Sequence, residues 1–426
     1  MNETKKFKVV TLGCRTNQYE SQAYIDQLKK LGYQQSLETE AADLCIVNTC
    51  TVTASADSSS RAQIRQLSKD NPEAQIVVTG CLAERSPKEM WDLPKVTHVV
   101  SNKEKEDLLS IVLPDEQIPE FKIENFSTHT RAFVKVQDGC NSFCTYCIIP
   151  YVRGRSRSRK MNSILQEIKG LVKQGKKEVV LTGINIGDYD GAPEIGEKPT
   201  RLSDLIKEVD QIEGLERIRV SSIDADEVDE DLANAILLSK KTCPSMHIVL
   251  QSGSNHILKR MNRKYTKEIF INTINYLKNR SPHFTFTTDI IVGFPGETDF
   301  DFEQTLETIR TVKFAKVHMF PYSPRERTRA ALFTDRIPLE VMQQRKQEVL
   351  RLSEQIAFDL RREYVGQYVE VLLESVDPHK PGYIFGHTNN FLPVYVSLEN
   401  NLKSNDLIQV LIKENTPEGL IGLYET

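Results

Sequence analysis

The sequence predicts an α/β protein with three parts: an N-terminal domain on a parallel sheet, a central partial barrel of alternating strands and helices, and a small C-terminal antiparallel β-barrel. Short apolar runs alternate with helical patterns through the first two parts, as in parallel sheets covered by helices. The last stretch contains short alternating strands separated by turn residues, which is typical of a small barrel. The predicted domain ranges are 1–120, 126–361 and 362–426.

Three strand-like runs of the N-terminal domain each end at a cysteine, namely Cys14, Cys50 and Cys81. The runs are short and rich in Val or Ile, and helical patterns at 17–31 and 55–68 separate them. Because parallel sheets bind ligands beyond the carboxyl ends of their strands, these cysteines can converge although they lie far apart in sequence. The pattern predicts a three-cysteine site with one vacant metal position. The alternative is three unrelated cysteines at element ends.

The central part begins with a second set, Cys140, Cys144 and Cys147, in the spacing C-x3-C-x2-C. Three thiolates this close together can hold three corners of a cubane iron–sulfur cluster and leave the fourth iron open. A zinc site is the alternative, but no second C-x2-C or H-x3-H arm exists to complete a tetrahedron. The remaining cysteines, Cys45 within a strand and Cys243, are interpreted as structural.

Composition describes an ordinary globular protein of 426 residues with a net charge of −4. The apolar runs are far shorter than the roughly 20 residues that span a bilayer, and the first residues lack the apolar core of a signal peptide. We therefore expect a cytoplasmic protein without a membrane partner, in a compartment where thiols stay reduced.

A basic run follows the second cysteine set: five of the eight residues 153–160 are cationic. Such a run is often a solvated surface loop. Its position beside a presumed active site favours the other interpretation, a phosphate-binding rim for an RNA substrate. The residues of the predicted rim are Arg153, Arg155, Arg157 and Arg159.

The two cysteine sets, together with the segments 138–159, 247–254, 289–298 and 318–325, resemble the radical S-adenosylmethionine (SAM) methylthiotransferase family over nearly the whole chain. The resemblance implies two [4Fe-4S] clusters, one on each cysteine set, and SAM as radical source and methyl donor. In that family the residue before the last cysteine lies near the SAM adenine. The positions that the resemblance assigns to SAM binding are Tyr146, Thr182, Asn185, Ser222, Gln251 and Gly293.

The residues around Cys14 most resemble the subgroup that thiomethylates N6-threonylcarbamoyladenosine next to the anticodon of tRNA. Rival interpretations are the same chemistry on isopentenyladenosine in tRNA or on a ribosomal-protein aspartate, and a non-enzymatic, metal-bearing RNA-binding protein. One departure from the family pattern is Arg327, where glycine is frequent. A bulky side chain there puts a tight turn in doubt.

The C-terminal part resembles the TRAM domain, an RNA-binding appendage of this family. Residues 361–426 contain five Lys or Arg against nine Asp or Glu, so phosphate attraction cannot be its main contribution. We expect recognition through aromatic side chains that stack on bases, among them Phe385 and Phe391.

The implied reaction converts an adenine C–H bond to C–S–CH3, for which acid–base catalysis offers no route and a carbon radical does. An electron delivered to the cluster of the second cysteine set would cleave SAM, and the first set would present the sulfur. The resemblance thus implies two partners, a tRNA anticodon loop and an electron donor such as a flavodoxin or ferredoxin. The base must leave its stack to react, which a loop permits at small cost.

Overall fold

The structure is a computed structural model that describes residues 4–37, 39–125, 130–378, 380–398 and 402–425. The predicted domain boundary at residue 126 lies outside these ranges. The chain forms two compact units. The first contains the described residues of Met1–Phe126, Gln137–Arg157 and Ser323–Ala331, and the second contains those of Ser127–Val136, Ser158–Tyr322 and Leu332–Thr426.

The α-helices, in chain order, are α1 Arg15–Lys30, α2 Ala54–Asp70, α3 Cys81–Arg85, α4 Pro87–Trp91, α5 Leu108–Val112, α6 Ile149–Val152, α7 Met161–Lys173, α8 Leu202–Asp210, α9 Glu230–Leu238, α10 Asn255–Arg260, α11 Lys267–Arg280, α12 Asp299–Val312 and α13 Leu339–Arg362. Short 3-10 turns occur at Lys105–Asp107, Ile186–Asp188, Ala225–Glu227 and Arg329–Leu332.

The strands, in chain order, are β1 Lys6–Thr11, β2 Gln34–Gln35, β3 Leu44–Thr49, β4 Gln75–Gly80, β5 Val96–Val99, β6 Ala132–Lys135, β7 Gln137–Asp138, β8 Arg157–Ser158, β9 Glu178–Thr182, β10 Arg217–Asp224, β11 Thr242–Val249, β12 Thr285–Val292, β13 Lys316–Pro321, β14 Tyr368–Val376, β15 Tyr383–Thr388, β16 Pro393–Ser397, β17 Leu407–Asn415 and β18 Leu420–Leu423.

The first unit is built on a five-stranded, fully parallel sheet in the order β2-β1-β3-β4-β5. Strand β3 is buried along its whole length, in keeping with its apolar run Leu44–Val47, and its last two residues, Asn48 and Thr49, are buried polar groups. The strand order reverses between β1 and β3, and ligands of such sheets bind beyond the carboxyl ends at this point. The chain segments that follow β1 and β3 therefore form the natural binding position of this unit.

The second unit contains a six-stranded parallel sheet in the order β13-β12-β11-β10-β9-β6. Neighbouring strands follow one another along the chain, and helices connect most of them, which is the topology of a partial (β/α) barrel. The loops after these strands gather at one edge of the sheet, because parallel strands share the direction of their carboxyl ends.

A closed five-stranded barrel, β14-β15-β16-β18-β17, follows helix α13 in the second unit. Its pairs are antiparallel except β16 with β18, which are parallel, so the prediction of a purely antiparallel barrel needs this correction. The chain passes from β16 to β17 before β18 closes the barrel, and this crossing gives the parallel pair. The predicted sequence of parallel sheet, partial barrel and small β-barrel is otherwise confirmed.

Among the described residues, no helix has the length and apolar composition needed to cross a membrane.

Candidate functional site

Cys14, Cys50 and Cys81 converge at the carboxyl edge of the N-terminal sheet. Cys14 precedes α1, Cys50 follows β3 directly, and Cys81 is the first residue of α3. Gly13 has a φ of +93°, and a Cβ atom built on it would lie 2.8 Å from the Cys50 sulfur, so only glycine fits there. Thr49 pairs with Gly80 in the register of β3 and β4, so Cys50 and Cys81 leave the ends of neighbouring strands side by side. We call these three residues the N-terminal cysteine site.

Hydroxyl groups fix the backbone of this site. The Ser60 hydroxyl accepts a hydrogen bond from the Cys50 N–H (3.3 Å) and donates to the Cys50 carbonyl (3.2 Å). The Thr49 hydroxyl accepts from the N–H groups of Leu82 (3.1 Å) and Ala83 (3.2 Å) at the start of α3, the helix that carries Cys81. Sequence reasoning missed both hydroxyls, since Ser and Thr at element ends are too common to single out.

The donor chemistry of the N-terminal cysteine site suits an iron–sulfur cluster. Its three side chains offer soft sulfur and no hard oxygen ligand, and Cys50 and Cys81 are buried. Burial raises the pKa of the Cys50 thiol to about 11, and burial also raises that of Cys81, so binding of a metal to these thiols has to displace their protons. Within the described ranges no cluster of three His, Cys, Asp or Glu side chains could hold a single metal ion. A cubane spreads its ligands over separate irons.

The second cysteine set lies on a loop in the same compact unit, and we call residues 140–147 the cysteine loop. The Cys140 N–H donates to the carbonyl of Gly154 (3.1 Å), and the Cys147 N–H donates to that of Cys144 (3.0 Å). Gly139 has a φ of +73°, and a Cβ there would lie 2.1 Å from the Arg155 carbonyl oxygen. The loop is therefore closed onto the chain that follows it.

A buried charge network, formed by Glu20, Lys105, Asp138 and Arg153, lies between α1 and the cysteine loop. Arg153 donates to Glu20 (3.1 Å) and Asp138 (2.7 Å), and Lys105 bonds Glu20 (2.6 Å) and Asp138 as well. The Arg153 side chain is 0% exposed. The prediction that Arg153 faces an RNA substrate is therefore wrong, because its guanidinium is enclosed and neutralised by carboxylates. Only tertiary structure shows this, since Glu20 and Lys105 are distant in sequence.

The other predicted rim residues differ in their surroundings. Arg155 is exposed and lies over the ring of Phe143, with 4.3 Å from guanidinium carbon to ring centroid. Arg157 is also exposed and donates to the carbonyl of Arg153 (3.2 Å). Arg159 donates to the Lys135 carbonyl and pairs with Glu167 (2.6 Å), so its charge is already compensated.

The predicted SAM residues of the second unit gather along one edge of its sheet. Thr182 ends β9, Ser222 lies near the end of β10, and Gln251 and Gly293 follow β11 and β12. Each therefore belongs to the carboxyl-end edge, where parallel barrels bind ligands. Tyr146 is half-buried in the cysteine loop of the first unit.

Two carboxylates at this edge were missed by sequence reasoning. Glu227 accepts a hydrogen bond from the Asn185 amide (2.8 Å), and Glu297 accepts one from the Gly293 N–H (2.8 Å). Glu297 is held in turn by Arg345 (2.7 Å). Both acids act on predicted SAM residues and orient them. Glu297 lies in the segment 289–298, which resembles the family, so the sequence could have indicated its role. Glu227 lies in an acidic stretch without a motif.

The buried carboxyl group of Glu227 is expected to make the stability of the protein depend on pH. Burial, followed by the nearby Asp224, raises its pKa from 4.5 to about 7. A carboxyl group whose folded pKa is raised stabilises the fold below its unfolded pKa and loses that contribution as pH rises towards 7. Asp188 adds to the upward shift, and hydrogen bonding by Asn185 opposes it. The free energy of unfolding of the wild type is therefore expected to fall by up to about 3 kcal/mol between pH 4.5 and 7. Glu227→Gln should not show this fall.

The measurement is the thermal midpoint at pH 5 and at pH 8. The wild-type midpoint should fall more between these values than that of Glu227→Gln. Glu303→Gln is the matched control, because Glu303 is exposed and its pair with Arg310 contributes no more than about 1 kcal/mol. An identical fall in wild type and Glu227→Gln would contradict the prediction.

Arg327, the departure from the family pattern, has a φ of +71° and an exposed side chain. The left-handed conformation costs a non-glycine residue roughly 1–2 kcal/mol, which explains why glycine suits this turn. Glycine also loses more chain entropy on folding, so Arg327→Gly is expected to stabilise by about 1 kcal/mol or less. Arg329→Gly, two residues on and without a positive φ, should instead lower the thermal midpoint. A shift of the thermal midpoint in the same direction for both variants would contradict this prediction.

Arg325, two residues before, is buried against the N-terminal sheet. It donates to Asp57 (2.7 Å) and to the carbonyl of Thr51 (3.4 Å), the residue after Cys50. Asp57 also binds Arg85 (2.7 Å). These contacts hold the segment beyond Cys50, and no local sequence pattern indicates that residues so far apart would meet.

A cavity of about 430 Å³ is lined in part by Phe385, His387, Phe391 and Tyr395 of the C-terminal barrel. Phe391 stacks on His387, with 4.3 Å between ring centroids, and Phe385 meets His387 edge-on. The guanidinium groups of Arg131 and Arg219 lie 4.9 and 4.8 Å from the Phe391 centroid. Phe391 thus also packs against residues from the central sheet.

Comparison with known proteins places these features in a family. The model of the "Radical SAM superfamily" matches residues 134–309, and that of "Uncharacterized protein family UPF0004" matches residues 6–101. The chain is similar in fold to the radical S-adenosylmethionine methyltransferase TsrM from Kitasatospora setae, with a TM-score of 0.57, 13% identity, and coverage of 78% of this chain and 77% of that chain.

Similarity in sequence is much greater to three curated relatives. The chain is 51% identical to the threonylcarbamoyladenosine tRNA methylthiotransferase MtaB of Chlamydia pneumoniae, over 98% of this chain and 97% of that protein. It is 38% identical to the MtaB enzyme of Bacillus subtilis (strain 168), over 90% and 88%. Identity to the tRNA-2-methylthio-N(6)-dimethylallyladenosine synthase of Carboxydothermus hydrogenoformans is 36%, over 97% of each chain.

The parallel barrel, the cysteine loop and the matching superfamily together define a radical SAM enzyme. This class implies SAM and a [4Fe-4S] cluster as cofactors. Within it, the chain belongs to the tRNA methylthiotransferase family. The prediction of a methylthiotransferase is confirmed.

Proposed function

We propose that this enzyme converts N6-threonylcarbamoyladenosine next to the tRNA anticodon to its 2-methylthio derivative, using two [4Fe-4S] clusters and SAM as both radical source and methyl donor. The observation that carries the proposal is the convergence of Cys14, Cys50 and Cys81 at the switch point of the N-terminal sheet. A second site of three sulfur ligands could hold a second cluster, which would serve as the source of sulfur beside the cluster that cleaves SAM.

The substrate is supported by the relatives. The 51% and 38% identical proteins carry the threonylcarbamoyladenosine name, and the dimethylallyladenosine synthase is 36% identical. Action on isopentenyladenosine is therefore the less supported alternative. A ribosomal-protein substrate and a non-enzymatic role have no support among these relatives.

When bound, SAM and its cluster supply the radical chemistry that an unactivated adenine C–H bond needs. Cys140, Cys144 and Cys147 would hold that cluster, and the N-terminal cysteine site would hold the second. The edge formed by Thr182, Asn185, Ser222, Gln251 and Gly293, together with Tyr146, would bind and orient SAM. Glu227 and Glu297 fix Asn185 and Gly293 in place, so the contacts to SAM are set before it binds.

RNA contacts are proposed for exposed groups. Phe143 and Tyr151 are exposed and meet edge-on, with Arg155 over Phe143. Such a group can stack on an unpaired base and meet its phosphate. Arg157, which is also exposed, extends these contacts, and the half-buried Phe385 and Phe391 are the proposed contacts on the C-terminal barrel. We propose a cytoplasmic location, which suits a tRNA substrate, and a flavodoxin or ferredoxin as the electron donor.

The test of the substrate is nucleoside mass spectrometry of tRNA from cells with and without this protein. Loss of methylthio-threonylcarbamoyladenosine, with accumulation of its unthiolated precursor, supports the proposal. Persistence of that nucleoside contradicts it and directs attention to methylthio-isopentenyladenosine and the ribosomal protein. Anaerobic iron and sulfide analysis tests the cofactors: two cubanes require about eight irons per chain, whereas zinc alone contradicts both clusters.

A further inference from the structure

We propose that Arg153 is a positioning residue for the N-terminal cysteine site: its buried guanidinium holds the cysteine loop to the sheet that carries this site and places a fixed cation beside its sulfur ligands. The proposal deepens the proposed function and rests on it, because it requires a cluster at the N-terminal cysteine site. It also gives a role to a residue that the sequence pattern assigned to RNA.

The first argument is connectivity. Arg153 donates to Asn17 and to Glu20 (3.1 Å), both on α1, the helix that begins directly after Cys14. Arg153 also donates a hydrogen bond of 2.7 Å to Asp138, which lies two residues before Cys140. The Arg153 side chain therefore connects α1, which follows Cys14, with Asp138, which precedes Cys140.

Asn17 carries the connection on to the sulfur site. Its side-chain amide donates to the carbonyls of Leu12 (2.7 Å) and Thr49 (3.1 Å), the residues next to the Gly13–Cys14 turn and directly before Cys50. Its side-chain oxygen, which Arg153 also contacts, lies 3.7 Å from the Cys14 sulfur. A displacement of the guanidinium would be transmitted to two of the three cysteines.

The second argument is the rigidity of the buried charge network. The side chains of Arg153, Glu20, Lys105 and Asp138 are 0%, 1%, 3% and 8% exposed, and two cations balance two carboxylates. Such a network is stable only when its members stay paired, because an unpaired buried charge is very costly. The network therefore has one arrangement rather than several, as expected of a spacer between two reactive centres.

The third argument is the cation beside the thiols. The Asn17 side-chain oxygen that accepts from Arg153 lies 3.7 Å from the Cys14 sulfur, so the guanidinium is one polar atom away from this thiol. Among the described residues, the buried Nε of Arg153 has no hydrogen-bond partner. The Asn102 amide lies 3.9 Å from the Cys81 sulfur and donates to the carbonyl of Val152 (2.7 Å), the residue before Arg153.

A nearby cation and donors to sulfur favour the reduced, more negative state of an iron–sulfur cluster. Arg153 is therefore expected to set the potential at the N-terminal cysteine site. A residue that only stabilised the fold would leave that potential unchanged in a variant that still holds its iron.

The experiment uses the full chain with alanine at Cys140, Cys144 and Cys147, so that iron binds only at the N-terminal cysteine site. Arg153→Met and Arg153→Lys are added to this parent. Iron and sulfide content and the midpoint potential, from titrations followed by electron paramagnetic resonance, are measured anaerobically. Arg153→Met is expected to shift the potential to more negative values, and Arg153→Lys, which keeps the charge, to shift it less.

Unchanged potential and spectrum in both variants, at full iron content, would overturn the proposal. Should Arg153→Met fold poorly, Arg153→Lys decides: an altered spectrum or potential supports the role, and a parent-like protein overturns it. Arg361→Met is the matched control, since Arg361 is buried in the second unit and bonds only neutral groups. A parent without iron would overturn the two-cluster function and this proposal together, whereas iron with unaltered potential overturns this proposal alone.

Discussion

Cys144→Ala is expected to reduce cleavage of SAM to 5′-deoxyadenosine to the level of a protein-free control. Cys144 is the middle ligand of the cysteine loop, and its loss leaves two thiols for a cluster that needs three from the protein. The backbone around it is fixed by the bond from the Cys147 N–H to its carbonyl, which alanine retains. The fold should therefore survive while the cluster at this loop is lost.

The measurement is 5′-deoxyadenosine formed by the reduced, anaerobically reconstituted enzyme without tRNA. Cys243→Ala is the matched control, because Cys243 is a buried cysteine in a strand of the second unit and should leave cleavage intact. The iron content of Cys144→Ala should fall by about half, to about four atoms per chain. Wild-type cleavage by Cys144→Ala would refute the assignment of the radical cluster to this loop.

Cys50→Ala is expected to retain SAM cleavage and to lose methylthio insertion completely. Cys50 belongs to the N-terminal cysteine site and is held by Ser60, so its removal takes one of three sulfur ligands from that site alone. Substrate tRNA should then give 5′-deoxyadenosine without 2-methylthio product. Both products are quantified in one reaction by mass spectrometry.

Cys45→Ala is the matched control for this variant. Cys45 lies within β3, the strand that Cys50 directly follows, and is also buried, but it belongs to the packed core of the sheet. It should keep both activities. Loss of SAM cleavage in folded Cys50→Ala would argue against the division of labour between the two cysteine sets.

The sequence was enough to predict the two cysteine sites, but it did not predict the polar groups that surround them. The cysteine loop is local, so its spacing alone indicates a cluster. Cys14, Cys50 and Cys81 could be related because each ends a strand of a parallel sheet, and the topology of such sheets brings their carboxyl ends together. Periodicity and fold class were enough for both inferences.

Arg153 shows where that reasoning ends. In the sequence it is one of five cations in eight residues, indistinguishable from Arg155 and Arg157. Its neighbours in space, Glu20 and Lys105, come from elements far away along the chain. Whether an arginine faces solvent or pairs inside depends on those distant groups, and no local pattern encodes them.

Strand–helix alternation and cysteine spacing predicted the class of fold and the two cysteine sets, and the family followed from the resemblance of several segments to its members. Three features are seen only in the folded chain: Arg153 of the basic run is buried, Glu227 and Glu297 bond to the predicted SAM residues Asn185 and Gly293, and β16 pairs with β18 in parallel. The physical reason is the range of the interactions: hydrogen bonds and ion pairs act over a few ångströms in space, but they join residues that the chain keeps far apart.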